Sequence, residues 1–417
     1  MQTLDERGTR PGTKHRAAAW LLLGLTVASL GLPDRARAQQ DDPPAETITL
    51  GYLGQAPDDE LEPLSVLDPV LDDEGRQGAR LAISDNNATG QFLGQRFELV
   101  EAIVPRDGEV LEGLDDLIEQ EVDWILSDLP REALEEVLDA SALGDRVVFN
   151  VAAPDNALRG EVCHANLFHT TPSRRMLADA LAQFLAYKQW DRWALVHGNT
   201  DEDRLLAEAF RESAERFGHD IVGEKMWPYD PMARRAEGGF HAIQREIPVF
   251  VQDLDEHDVL VIIDENDYFG EYFSYQGWLP RPVVGTQGLM ATAWHRAHES
   301  WGAVQLQRRF EDQAGRWMTP IDFAAWLAVR SLGEAAARTG SVASDEILDY
   351  MLSEEFELAG YLGLPVSYRT WNHQLRQPIL VTGPRMVASV SPQEGYLHPR
   401  SPMDSLGADE GESTCRF

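Results

Sequence analysis

Ser173, Arg174 and Arg175 stand together at the expected start of a helix, a capping hydroxyl followed by two guanidiniums. Such a group suits an anion, because a helix N-terminus and fixed cations both favour negative charge. The commoner role of an arginine in a first turn is a solvated side chain. Further polar or aromatic groups follow apolar runs at His197 to Thr200, Trp227 to Tyr229, Asp264 to Asn266 and Thr286-Gln287. Catalytic spacings are absent: there is no G-x-S-x-G, H-E-x-x-H, G-x-x-x-x-G-K-S/T or G-x-G-x-x-G, and His298-Glu299 lacks a second histidine. The acid run from Asp253 to Asp258 lacks the alternate spacing and central glycine of a calcium loop and reads as a solvated face. Two cysteines, Cys163 and Cys415, lack further ligands at metal-binding spacing. The expectation is a non-enzymatic protein with no catalytic residue, no metal and no cofactor serving as catalyst.

The N-terminus reads as an export signal. Arg7, Arg10, Lys14 and Arg16 form a basic leader, Ala17 to Leu32 an apolar stretch, and Ala36-Arg37-Ala38 a small-x-small cleavage site. The stretch falls short of the ~20 residues that a spanning helix needs, and Pro33, Asp34 and Arg35 follow it at once. Cleavage after Ala38 would place the product in the periplasm with no membrane insertion. Loss of six basic and three acidic residues would take the formal charge from −34 to −37. Such a field repels nucleic acid and anionic membranes. In an oxidising compartment Cys163 and Cys415 can pair, tying the C-terminal tail to the middle of the chain. Two free thiols are the alternative.

The remaining chain exceeds one ordinary core, so two lobes are expected. Gln39 to Glu46 reads as a polar linker. Strands at Ile48 to Leu53, Arg96 to Val104, Val122 to Leu126 and Val147 to Ala152 alternate with helices, the first of which ends around Asn86 to Gly90. A second series has helices at Ser173 to Lys188 and Arg204 to Phe217, and strands at Trp193 to His197, Ile221 to Trp227, Val259 to Asp264 and Val283-Val284. Continuous aliphatic runs separated by helices indicate parallel strands covered on both faces. The fold class is therefore α/β, two Rossmann-like lobes with parallel central sheets joined by a hinge. The first lobe is expected over 47–168 plus about 296–345, and the second over 169–295 plus about 346–400. The elements after Thr319 are too few for a sheet of their own, and 401–417 reads as a polar tail.

Several stretches resemble a known family. Gly78 to Gly90 after the first strand, Leu158-Arg159-Gly160, Phe168 to Ser173 and Asp322 to Arg330 are similar to the type I periplasmic solute-binding proteins of ABC importers, in the branched-chain amino acid binding group. Gly285 to Leu289, Leu375 to Ile379, Ser391 to Gly395 and Glu412 to Cys415 resemble the subgroup associated with PQQ-dependent alcohol oxidation. The resemblance implies capture of a small-molecule ligand by hinge closure, for an ABC permease or for sensing, with PQQ or a related small organic acid as the ligand. It also leaves open a structural or chaperone-like accessory of a quinoprotein dehydrogenase, and an amino acid binding protein.

In open doubly wound sheets, ligands bind beyond the carboxyl ends of the strands. That rule selects Gln55, Asp128, Ala152, Pro154 and Asn156 in the first lobe. In the second it selects Thr171, Ser173, Arg174, His197, Trp227, Asp264, Thr286 and Gln287. The resemblance implies that Ala152 to Asn156, Thr170 to Ser173 and Gly285 to Gln287 hold an amino acid's charged ends in other members. Gln287 stands where those members commonly carry an acid, which disfavours a simple amino acid. PQQ, a planar quinone with three carboxylates, needs cations and an aromatic face. Arg174 and Arg175 fit the first need. Trp227, Trp278 or Trp294 fit the second, unless they are packing residues, and Lys225 beside Trp227 could approach a quinone carbonyl.

Overall fold

The computed structural model describes residues 46–56, 70–230 and 239–417. The expected leader, its cleavage site and the linker up to Ala45 lie outside the described residues, while Glu46 already belongs to a strand. In the first lobe β1 (Glu46–Gln55), β2 (Gln95–Val104), β3 (Trp124–Asp128), β4 (Val147–Asn150) and β5 (Leu167–His169) form a parallel sheet ordered β2-β1-β3-β4-β5. Alternate residues serve two cores. Tyr52, Trp124 and Phe149 join one apolar cluster with Ala79 and Ala82 of α1 (Arg76–Leu93). Leu53, Ile125 and Val148 join another with α2 (Val110–Glu119) and α3 (Arg131–Asp139). Burial on both faces is why these strands read as unbroken aliphatic runs.

The helix α1 does not stop at the asparagines. It continues to Leu93 and ends at the left-handed Gly94, because Asn86 and Asn87 are used sideways. The buried Asn86 side chain donates to the Val329 carbonyl, and Asn87 brackets the backbone of Phe97.

The second lobe repeats the scheme. β6 (Arg192–His197), β7 (Asp220–Met226), β8 (Val259–Ile263), β9 (Val283–Gly285) and β10 (Leu289–Thr292) run parallel. One face packs on α4 (Arg174–Lys188) and α5 (Asp201–Phe217), the other on α6 (Gly239–Val251) and α7 (Phe273–Gln276). Two antiparallel strands, β14 (Ile379–Gly383) and β15 (Met386–Ser391), extend this sheet beside β10.

α8 (Ala303–Ala314) and α9 (Pro320–Thr339) contribute to the first lobe's core, within the span expected for it, and the departure begins with α10 (Ser344–Met351), which joins that core as well. β11 (Leu358–Ala359), β12 (Pro365–Tyr368) and β13 (Leu375–Arg376) do make a three-stranded sheet, and it too packs into the first lobe, through Leu358, Val366 and Leu375. The second lobe regains the chain only at β14, not at about residue 346. The chain thus passes between lobes after β5, after β10 and before β14. Nor is 401–417 a loose tail: Met403 to Leu406 are buried, and the buried Asp404 pairs with Arg369 and Arg376. Cys163 and Cys415 form the expected disulfide. Among the described residues no helix is long and apolar enough to cross a membrane.

Candidate functional site

The carboxyl ends of β1, β2 and β3 open into a cavity of about 190 Å³, lined by Tyr52, Gln55, Glu74, Arg76, Ile103 and Asp128. It sits at the point where the strand order turns from β2 through β1 to β3, the place at which doubly wound sheets leave a crevice. Gln55 and Asp128, both expected, are here together. Tyr52 donates its hydroxyl hydrogen to Asp128 Oδ2 at 2.7 Å and lies 3.1 Å from the Glu74 carbonyl. Burial pushes Asp128 up to about 6, against the opposing pull of the Tyr52 hydrogen bond. Burial also pushes Glu74 up to about 7, with a Thr319 hydrogen bond pulling the other way and the nearby Asp322 charge adding to the rise.

The loop after β4 is wound tightly by one side chain. Asn150 Oδ1 accepts from the Ala152 and Ala153 amides, and its Nδ2 donates to the Ala153 carbonyl. The Ala152 amide is therefore already engaged. Pro154 turns its carbonyl to the Arg174 amide, and Asn156 Oδ1 accepts from the Arg175 amide. Both thus fasten the first lobe to the start of α4. Ser173 is the helix cap the sequence indicated, its Oγ accepting from Met176.

Arg174, which is not among the residues lining that cavity, is 4% exposed. Its Nε donates to Glu265 at 2.8 Å, and its Nη1 lies 2.8 Å from Asp155 Oδ1, an ion pair without hydrogen-bond alignment. Asp155 belongs to the first lobe and Glu265 to the second. The guanidinium therefore bridges the crevice. Burial alone would lower its proton affinity, but the two carboxylates outweigh it and hold Arg174 above its ordinary value. Glu265 is raised by burial, with Arg174 pulling it back.

Other candidates serve the scaffold. The carbonyl of Thr171 accepts from Arg159 and Gln374 at the hinge. His197 is buried, with Nδ1 2.6 Å from the Gly198 carbonyl and Nε2 3.4 Å from Glu224. Asp264 accepts from the amides of Tyr268, Phe269 and Gly270, and burial pushes it up to about 6. Thr286 Oγ1 accepts from the Asp264 amide and donates to the Ile262 carbonyl, and Gln287 donates to Asp267.

Two of the three aromatic faces expected for a planar ligand are occupied by packing. Trp227 is 4% exposed and packs against Phe250, Phe269 and Phe273. Trp294 stacks on Phe323, Trp278 lies on the surface, and Lys225 pairs with Asp253. Tyr52 and Glu74 are not singled out by the sequence, whereas Glu265 lies inside the candidate stretch Asp264 to Asn266. Tyr52 carries a usable signal, an aromatic hydroxyl three residues before the strand's end, whereas Glu74 is one acid among many. Among the described residues no group of three or more His, Cys, Asp or Glu side chains could hold a metal ion.

Residues 63–233 match a family model described as periplasmic binding protein. No curated protein sequence matches. Solved structures share the fold along most of the chain. The periplasmic ligand-binding protein of a branched chain amino acid ABC transporter from Burkholderia xenovorans LB400 aligns with a TM-score of 0.67 at 15% identity, covering 88% of this chain and 99% of that one. A solute binding protein of an ABC transporter from Rhodopseudomonas palustris BisB5, in complex with 3,4-dihydroxy benzoic acid, aligns at 0.58 and 14% identity, covering 81% and 93%. An ABC transporter substrate-binding protein from Desulfitobacterium hafniense, in complex with Leu, aligns at 0.59 and 15% identity, covering 83% and 100%. The fold is that of type I periplasmic binding proteins, two lobes with parallel central sheets.

Proposed function

We propose that this chain is a non-enzymatic periplasmic solute-binding protein that captures a small ligand between its lobes by hinge closure and presents it to an ABC permease. The observation that carries the reading is Arg174, a buried cation at a helix start held between a carboxylate from each lobe. A ligand acid that replaces Asp155 or Glu265 on this guanidinium gains a charge-assisted contact and couples its own binding to the position of both lobes. The ligand class is accordingly a small organic acid. PQQ, the ligand implied by the sequence resemblance, is its most specific member and links the protein to PQQ-dependent alcohol oxidation. The Leu and dihydroxybenzoate complexes of proteins with this fold agree with an acid-bearing solute.

Two other readings have an observation each. The cavity lined by Glu74 and Asp128 suits an ammonium group and favours an amino acid. The pre-neutralised state of Arg174 favours an accessory of a quinoprotein dehydrogenase that binds no small ligand. Mass spectrometry of small molecules extracted from protein purified from its host, followed by tryptophan-quenching titration with PQQ, 3,4-dihydroxybenzoate and leucine, separates the three. Saturable binding of an acid, weakened at least about tenfold in Arg174→Ala, is the expected result. Binding of leucine alone, lost in Asp128→Asn, supports the amino acid reading. No extracted molecule and no titration, with a dehydrogenase co-purifying, supports the accessory.

A further inference from the structure

The C-terminal segment touches both lobes at their hinge side. It meets the second lobe along α4 and α5: Ser405 accepts from the buried Gln183, the Gly407 amide donates to the buried Asp179, and Arg216 donates to the Gly407 carbonyl. Glu412 then pairs with Arg175 at 3.0 Å and lies 4.0 Å from Arg216. Its far end is fixed to the first lobe. Thr414 donates to the Gly160 carbonyl at 2.6 Å, the Phe417 ring stacks on His373 at 4.4 Å, and Cys415 is bonded to Cys163. Beside the Ser405 and Gly407 anchors, Arg369, directly after β12, holds the segment to the first lobe through Asp404 and the carbonyls of Met403 and Leu406.

We propose that residues 402–417 are a strap between the lobes, locked by the Cys163–Cys415 disulfide, that limits how far the crevice opens. The physical ground is that the noncovalent anchors are of two strengths. The set around Asp179 is buried and fully partnered, whereas Glu412 is exposed, where an ion pair contributes little. Without the disulfide, the last residues would be held to the first lobe by one exposed hydroxyl and one ring contact, and would fray as chain ends do. With it, the segment is fixed to the first lobe on both sides of Gly407, by Arg369 and by Cys163, so opening must either stretch the segment or tear Gly407 from Asp179. The strap thus gives the hinge a stop that the three crossing segments alone do not supply. This inference rests on hinge motion but needs no ligand, so it stands or falls separately from the identity of the solute.

The test compares the ligand-free oxidised protein with the Cys163→Ser/Cys415→Ser variant, and with wild type reduced by a phosphine in case the variant folds poorly. Hydrogen exchange should become about tenfold faster for amides in 408–417, while those of α4 stay protected. Small-angle scattering should show a larger radius of gyration and a broader distance distribution in both samples that lack the disulfide. Unchanged exchange in the tail would show that the disulfide does not lock it, and a freed tail with unchanged scattering would show that it does not limit opening. Either result overturns the proposal.

Discussion

Glu74 and Asp128 are two buried carboxylic acids whose protonation the fold alters, and their effect has a definite sign. Each holds its proton in the folded protein to higher pH than in the unfolded chain, from 4.5 to about 7 for Glu74 and from 3.8 to about 6 for Asp128, with burial the leading cause in both. The folded state therefore binds more protons across this window. Stability falls as pH rises from about 4 to about 7, and the loss is complete above that range. The groups that face the pair are Tyr52 on β1, Arg76 on α1, Asp322 and Thr319 at the start of α9, and Arg316 before it. Glu74→Gln removes one charge from this set. Thermal unfolding should find the variant more stable than wild type by about 2 kcal/mol at pH 8 and indistinguishable at pH 4. Equal differences at both pH values would show that Glu74 does not titrate in this window. At the same scale, Arg174 was legible as a charged first-turn residue, but its partners were not. Asp155 and Glu265 both fall in candidate stretches after strand ends, but they lie over 100 residues apart in the chain and nothing local assigns either to Arg174.

At the scale of elements, the first lobe depends on how closely α1 approaches α9. Thr319 caps α9 in a reciprocal box with Asp322, and Asp322 in turn accepts from the Gly75 amide at 2.8 Å and from Arg316. One carboxylate thus serves two helix starts. A Cβ on Gly78 would lie 1.8 Å from the Asp322 carbonyl oxygen, a backbone atom that cannot step aside. Gly78→Ala should therefore cost about 3 kcal/mol or more in denaturant unfolding, by forcing the helices apart. Wild-type stability would disprove the close contact. Helices and strands with strong aliphatic periods were readable from the chain because each is short-range: a run such as Val259 to Ile263 has one use. The end of α1 lies beyond the expected asparagines because Asn86 and Asn87 are good helix stops only in isolation, and the approach of Val329 and Phe97 gives their side chains other partners.

At the scale of the molecule, a single buried cation ties the hinge together. Arg159 donates to Gln374, to the carbonyls of Ala153 and Asp155, and to that of Thr171. Gln374 and Gln377 then donate to the carbonyls of His169 and Thr170, joining the first crossing to the third. Burial draws Arg159 down to about 9, so it remains charged at neutral pH. Arg159→Met strands four acceptors. A loss of about 3 kcal/mol in unfolding free energy is expected, with faster hydrogen exchange at 169–174 and 374–379 than elsewhere. If exchange rises evenly across the protein, Arg159 acts on stability alone and not on the hinge.

The amino-acid order by itself determined the repeating strand and helix, the two parallel sheets and the two cysteines able to pair, since each follows from period, composition or number. Tertiary structure alone decided that the segment from Ser344 to Leu375 serves the first lobe and that the C-terminal stretch is a partly buried, fastened segment. It also decided that the crevice's arginine already holds two carboxylates. Those outcomes depend on contacts between residues far apart in the chain, where the free energy comes from which surfaces meet, and no local pattern encodes that choice.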